Sequence, residues 1–347
     1  MRNSNFEMLR IVAILCIVMM HSSSFVNPND YSFLLLKLVG AIGNTGVSCF
    51  ILISGYYGIR FRWEKFLRLV YLTTIYSIVV TIVNEYENLS LSSLAKSFLV
   101  VPLYNNWFIT CYLILMLLSP FLNDYISKVS QKSYKRLLMV CLIVFSIIPT
   151  LFNSPAYNGT VLAMGGKCIT YMIFLYLLGR YIKLYHDKVS FLPKRNFLWY
   201  TLVTMTIFSL NVSASFLFHK PIGTYAMDCS TLILVASVLL FYLFKSLTFQ
   251  SQIVNYVSSS VIAVYLLDGI RIFLNNELFH IAQFSTSYWL PAIIVAEAFC
   301  LFIIAIFIDK IRILILGRVE NKILEKCRKY CFQVQSNIEH ILTKFAL

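Results

Sequence analysis

The chain has 347 residues, 59% hydrophobic and only 13% charged, with a mean hydropathy of +0.77, where soluble domains carry about 25% charged residues. That composition excludes a soluble enzyme and a protein held by one anchor, and it describes an all-α polytopic membrane protein. The net charge of +14 does not point to nucleic acid, because the basic residues fall in loops between apolar runs, as the positive-inside rule describes; anionic lipid is the partner this charge implies.

Apolar runs predict ten transmembrane helices, at about 6–26, 33–57, 67–84, 105–123, 137–152, 166–182, 197–217, 225–244, 257–279 and 287–308. Each approaches the ~17–25 residues needed to cross a bilayer. The first run carries Glu7 and Arg10 and is followed by no small-residue cleavage site, so it reads as a retained helix and not a signal peptide. With the N-terminus placed in the cytoplasm, 24 of the 29 basic residues fall inside. Only Lys37, Lys96, Lys167, Lys220 and Arg271 fall outside. The asymmetry predicts an N-in, C-in arrangement. A membrane domain is expected over 1–316. The tail, 317–347, alternates basic and apolar residues at helical spacing and is expected to be an amphipathic helix on the cytoplasmic surface. The nine cysteines are scattered with no CxxC pair, and they read as small core residues and not as disulfides or metal ligands. No set of His, Cys and acidic residues has metal-ligand spacing, so no metal is expected.

Arg10 and His21 are the strongest candidates for chemistry. They lie eleven positions apart in one apolar stretch, which returns a helix to nearly the same face about 16 Å further on. The guanidinium is then expected near one membrane surface and the imidazole near mid-membrane. Glu7 sits one turn before Arg10, within pairing reach. Ionisable groups at such depth are costly in lipid and usually face a protein interior or a cavity. A neutral histidine can take a proton from a hydroxyl, which suits activation of a sugar hydroxyl for attack on a thioester. A planar cation such as Arg10 suits a phosphate-bearing donor. The loop after the second run, SGYYGIRFRWEKFLR (54–68), adds Arg60, Arg62 and Arg68 beside the same end of the first helix. In the fourth run, Asn105 and Asn106 precede Trp107, and Ser119–Pro120 lies near the other end; an aromatic anchor and a proline kink account for both. Asp268 and Arg271 are spaced to pair, and Glu297 has no partner visible in the sequence.

Together the pattern Glu7-x-x-Arg10-x(10)-His21, the basic 54–68 segment, NWFITCYLILMLLSPFLN, YLLGRYI and SSSVIAVYLLD resembles the acyltransferase 3 family of integral membrane O-acyltransferases over nearly the whole chain. The resemblance implies a ten-helix domain. It also implies transfer of an acetyl or other short acyl group from acyl-CoA, used as co-substrate, to hydroxyls of cell-surface carbohydrate. On that resemblance His21 is the catalytic residue, as general base or transient acyl carrier. Arg10 belongs to the donor site, Glu7 orients Arg10, and Arg60, Arg62 and Arg68 hold the CoA phosphates. The family often carries a histidine after Tyr-Leu-Ile in the late helix, where this chain has Asp268. That departure puts a catalytic role for the late helix in doubt. With no SGNH-type esterase segment in the chain, transfer falls to the membrane domain or a separate partner.

The expectation is therefore an O-acetyltransferase of a bacterial surface polysaccharide (capsule, exopolysaccharide or O-antigen) in the cytoplasmic membrane. Its partners are acyl-CoA, a polysaccharide or lipid-linked glycan acceptor and membrane lipids, with a homodimer left open. One alternative is a polysaccharide transporter, flippase or polymerase that holds a lipid-linked pyrophosphate on the same cations. The other is a membrane acyltransferase class whose histidine sits in late helices; here helices eight and ten carry none.

Overall fold

The computed structural model describes residues 3–101, 106–152, 164–189 and 192–345. Among these residues all regular structure is helical, with no strand. Asn105, where the fourth predicted helix begins, lies outside the described residues.

Helix α1 (Ser4–Ser22) follows the first apolar run closely. The second run is divided into α2 (Asp30–Gly43) and α3 (Thr45–Tyr57) at Asn44. The Asn44 amide donates to Gly40 O at 3.2 Å and to Ala226 O at 2.6 Å, bonds that compete with helix continuation. Next come α4 (Trp63–Asn84), the short α5 (Leu91–Phe98) and α6 (Trp107–Lys128). Helix α6 passes through Pro120 and ends beyond the predicted boundary at 123. Pro120 lacks the N–H that would bond to Met116 O, and the Ser119 hydroxyl donates to that carbonyl at 2.7 Å instead.

Helix α7 (Gln131–Leu142) runs through a widened turn, Ile143–Ile147, into α8 (Ile148–Leu151). It starts earlier than the predicted 137 because Ser130 caps it, accepting from Ser133 N at 3.2 Å. Then follow α9 (Ile169–Tyr185), α10 (Pro193–Leu217) and α11 (Thr231–Lys245). The ninth predicted helix, 257–279, is not continuous. It comprises the end of α12 (Gln252–Ser258), α13 (Val261–Leu267), a turn at Asp268–Ile270, α14 (Arg271–Leu274) and a last wide turn to Phe279. The chain ends in α15 (Leu290–Phe345), one helix of 56 residues, about 84 Å long at 1.5 Å per residue. It passes Gly317 without a break in the helix.

Nine helical segments of the described residues are long and apolar enough to cross a membrane. Helix α9 is not among them at 17 residues, yet it sits well inside the bundle: Tyr171, Met172, Leu175 and Tyr176 are all buried. It packs face to face with α3. Contact is close because glycines meet backbone on both sides. A methyl group on Gly55 would lie 2.3 Å from Tyr176 O, and one on Gly179 would lie 2.4 Å from Leu52 O. Small residues at such crossings let helix backbones approach in a membrane. Gly179→Leu is therefore expected to separate α3 from α9 and abolish recovery of monodisperse protein in detergent, as read by size-exclusion chromatography; an unchanged elution profile would show the crossing to be dispensable.

Two charged clusters tie the ends of the bundle. The Tyr56 hydroxyl and the Lys183 ammonium (2.9 Å) donate to the Asp187 carboxylate, and Lys245 donates to Asp187 O at 2.5 Å. The Tyr56 hydroxyl above all, with Lys183, holds the Asp187 carboxyl below its ordinary range. On the other flank Arg312 of α15 pairs with Asp309 at 2.9 Å and with Glu320, and it donates to the Tyr76 hydroxyl of α4 at 2.8 Å. Tyr76 in turn donates to Asp309 at 2.5 Å. Tyr76, Asp309 and Glu320 are all buried.

Candidate active site

His21 sits in the last turn of α1, one residue before the helix ends, and not midway along it. Its Nδ1 lies 2.8 Å from Asp268 Oδ2. Asp268 is delivered by the break after α13, where the chain leaves regular helix for the Asp268–Ile270 turn. Non-helical backbone at membrane depth is tolerated where it lines a cavity, and Asp268, Gly269 and Arg271 do line one. Arg271, three residues on, donates to the same Asp268 oxygen. The imidazole is 33% exposed and the carboxylate 9%, so the ring fronts the cavity with the carboxylate behind it. Asp268 Oδ1 and Arg271 Nε have no hydrogen-bond partner among the described residues. Glu297 of α15 is fully buried and adds a second carboxyl group near Arg271 and Asp268.

The His21 cavity has a volume of about 490 Å³. Besides the His21 cluster it is lined by hydroxyl and amide side chains, among them Ser77, Thr81, Ser93 and Asn106, together with Lys96 and the Trp107 indole. Asn106 is fixed by the Tyr265 hydroxyl, which donates to its Oδ1 at 2.8 Å. Hydroxyls, an amide and one aromatic plate form the kind of surface that carbohydrate hydroxyls and ring faces require. Asn106 and Trp107, explained in the sequence as a membrane anchor, are therefore part of the cavity wall.

Arg10 opens into a different cavity, of about 290 Å³, with Glu7, Ser54, Tyr112, Ser258 and Ser259 on its walls. The predicted Glu7–Arg10 pair is present at 2.6 Å. Glu7 also accepts from the Ser258 hydroxyl of α12, so the buried carboxylate is held from two sides. Between the two cavities lies an apolar waist of about 40 Å³ lined by Ile17, Phe50, Phe108, Ile109, Val261 and Tyr265. It shares Phe50, Phe108, Ile109 and Val261 with the Arg10 cavity, and Tyr265 with the His21 cavity. Arg10 and His21 thus share one face of α1 but front two separate chambers, with a small apolar pocket between them that shares wall residues with each.

Arg60, Arg62 and Arg68 line neither chamber. Arg60 and Arg62 are exposed in the extended linker before α4. Arg68 is engaged with α15, donating to Asn321 Oδ1 at 2.8 Å, and is 3.9 Å from Glu64. The residue that sequence reasoning missed is Asp268 as the partner of His21. Its 247-residue separation hides the contact; the available signal was an acidic side chain inside an apolar run. The nine cysteines are all free thiols. Among the described residues no group of three or more His, Cys, Asp or Glu side chains is placed to hold a metal ion.

No curated protein and no solved structure gives a significant match to the chain. The family model of the acyltransferase domain matches residues 3–308, a range that contains every helix forming the two chambers and the apolar pocket between them. The chain belongs to the acyltransferase 3 family.

Proposed function

We propose that the protein transfers an acetyl or other short acyl group from acyl-CoA to a hydroxyl of a bacterial surface polysaccharide, within the cytoplasmic membrane. The observation that carries this reading is the His21–Asp268–Arg271 relay, fronting a hydroxyl-lined chamber, with an apolar pocket between it and a second chamber that holds Arg10. Helix α9 counts as the tenth span, with the N-terminus and the C-terminal tail both in the cytoplasm. The tail beyond Gly317 lies outside the membrane domain proper. This places the Arg10 chamber on the cytoplasmic side, where acyl-CoA is available. The basic linker carrying Arg60, Arg62 and Arg68 then flanks its mouth as an outlying phosphate contact.

In this arrangement Arg10, held by Glu7, binds a phosphate of the donor. The slender, uncharged acyl-pantetheine arm extends through the pocket between the chambers, whose apolar walls admit it and reject charge. Asp268 accepts a hydrogen bond from His21 Nδ1–H and so selects the tautomer with a free lone pair on Nε2. His21 Nε2 removes the proton of the acceptor hydroxyl as its oxygen attacks the thioester carbonyl. A C–O bond forms, the C–S bond breaks, and the imidazolium returns its proton to the departing CoA thiolate. Atoms and charge balance with no further reagent.

Two substitutions separate the chambers. Asp268→Asn removes the tautomer selection and is expected to lower kcat by about 10² or more, with KM for acetyl-CoA unchanged. Arg10→Ala loses a charge-assisted phosphate contact of about 1.5–3 kcal/mol, and is expected to raise KM for acetyl-CoA by about ten- to a hundredfold. The assay is transfer of radiolabelled acetyl from acetyl-CoA to polysaccharide in inverted membrane vesicles. If Asp268→Asn raises only KM, or Arg10→Ala lowers only kcat, the assignment of the chambers is wrong. Lipid-linked glycan accumulation without acyl transfer would instead favour a transporter, flippase or polymerase.

A further inference from the structure

A third polar cavity, of about 550 Å³, is unused by the chemistry described so far. Its polar walls are Lys37 of α2, Asn44 at the α2–α3 break, Lys167 in the turn before α9, Asn211 of α10 and Asp228 before α11. A methyl group on Gly43, the neighbour of Asn44, would lie 2.7 Å from Cβ of Met20, the neighbour of His21, so the cavity lies at the same end of the bundle as the reactive imidazole.

Its walls are built and not incidental. The Lys37 ammonium is fixed at the rim, donating to Ile222 O at 2.6 Å and resting 5.1 Å from the Phe33 ring centre. Asn44 is tied across to Ala226 O at 2.6 Å. Asn211 is fully buried; its Oδ1 accepts from Tyr225 N at 3.2 Å, while its Nδ2 has no protein acceptor among the described residues. Asp228 is 4% exposed. The turn that carries Lys167 requires glycine at Gly166, whose φ is +95°, and a methyl group there would lie 2.6 Å from Cys229 N and 2.8 Å from Asp228 Cβ. Any side chain at that position would push this wall away from Asp228.

The lining has a recognisable chemistry. Two ammonium groups and one carboxylate line the cavity, a surplus of positive charge. Two amides supply donors and acceptors for hydroxyl groups. Leu36, Ala226 and Met227 supply an aliphatic face on which a sugar ring can rest. We infer that this cavity is a subsite for an anionic sugar of the acceptor: it takes a residue bearing a carboxylate or phosphate, adjacent in the glycan to the residue that is acylated in the His21 chamber. This inference rests on the acyltransferase reading for its place in the reaction, but the binding it requires is independent of turnover.

The test uses the full-length protein in phosphatidylcholine nanodiscs, titrated with cellobiuronic acid, uncharged cellobiose and inorganic phosphate, with binding followed by saturation-transfer NMR. Cellobiuronic acid is expected to bind about tenfold or more tightly than cellobiose, the scale of one charge-assisted hydrogen bond. Lys37→Gln is expected to reduce it to the cellobiose level. Lys167→Gln, on an exposed turn, is expected to do the same with less risk to the fold. His21→Ala is expected to leave the preference intact. Competition by phosphate would extend the site to phosphorylated sugars, and its absence would confine the site to carboxylates. Equal binding of the two disaccharides, or a preference that survives both lysine substitutions, overturns the inference. So does a preference that disappears when phosphatidylglycerol replaces phosphatidylcholine, which would assign the cavity to a lipid headgroup. An anion preference in a protein that transfers no acyl group would preserve the cavity and reject the acyltransferase mechanism; transfer without the preference would do the reverse.

Discussion

Replacing His21 with alanine is expected to abolish acyl transfer while leaving membrane insertion and solubilised yield unchanged. General-base removal alone costs about 10²–10⁴ in rate, and no other histidine among the described side chains lines the chamber. Among the described side chains, His186, His219 and His280 lie in turns at helix ends, and none of these three lines the His21 chamber. The fold should not suffer. The imidazole is one-third exposed to a cavity, and its loss leaves Asp268 still paired with Arg271. His21→Ala and Asp268→Asn should not be additive, because both act through one proton transfer. A double variant as inactive as His21→Ala alone would bear this out. A double variant that loses activity by the product of the two single effects would show that Asp268 acts on something else.

The second large effect is expected on stability, at Arg312. This guanidinium is 10% exposed and is the cation shared by two buried carboxylates, Asp309 and Glu320. Removing one member of such a set leaves uncompensated buried charge and costs about 3–5 kcal/mol. Arg312→Leu should therefore lower the thermal midpoint of the detergent-solubilised protein sharply and loosen α15 from α4. The triple variant Arg312→Leu, Asp309→Asn, Glu320→Gln should recover much of the loss, because the charges then disappear together. If the triple variant is no more stable than Arg312→Leu, the loss comes from packing of the arginine stem and not from stranded charge. The cluster lines none of the three polar cavities, so acyl transfer per folded molecule should stay close to wild type.

How much of this was legible in the chain follows from what kind of contact each feature needs. Helices whose apolar runs are long enough announce themselves, and pairs three residues apart, Glu7–Arg10 within α1 and Asp268–Arg271 across the turn before α14, follow from local spacing. The position of His21 beyond an apolar pocket, and not in one chamber with Arg10, depends on side chains from α3, α6 and α13, which no local pattern announces. Nor does local pattern place Asp268 against His21, since that contact needs the chain to break after Leu267. The division at Asn44 coincides with a tertiary bond, its side-chain amide donating to Ala226 O. Nearness in sequence groups the arginines at 60, 62 and 68 with the cytoplasmic end of the first helix, but it does not fix what each side chain touches. In the fold two stay in solvent and the third is held by α15. Helix α15 passes Gly317 unbroken. A lone glycine costs a helix about 1 kcal/mol, too little to stop it between Ile313–Leu316 and Arg318–Ile323, and α15 continues.

The most direct test of the central claim is proton NMR of the surface polysaccharide from three strains of the host: wild type, a deletion of this gene, and the deletion complemented with His21→Ala. The account predicts O-acyl methyl signals in the wild type, their loss in the deletion with polymer yield and length unchanged, and no restoration by His21→Ala. O-acyl signals that persist in the deletion, or that His21→Ala restores to wild-type intensity, would contradict it.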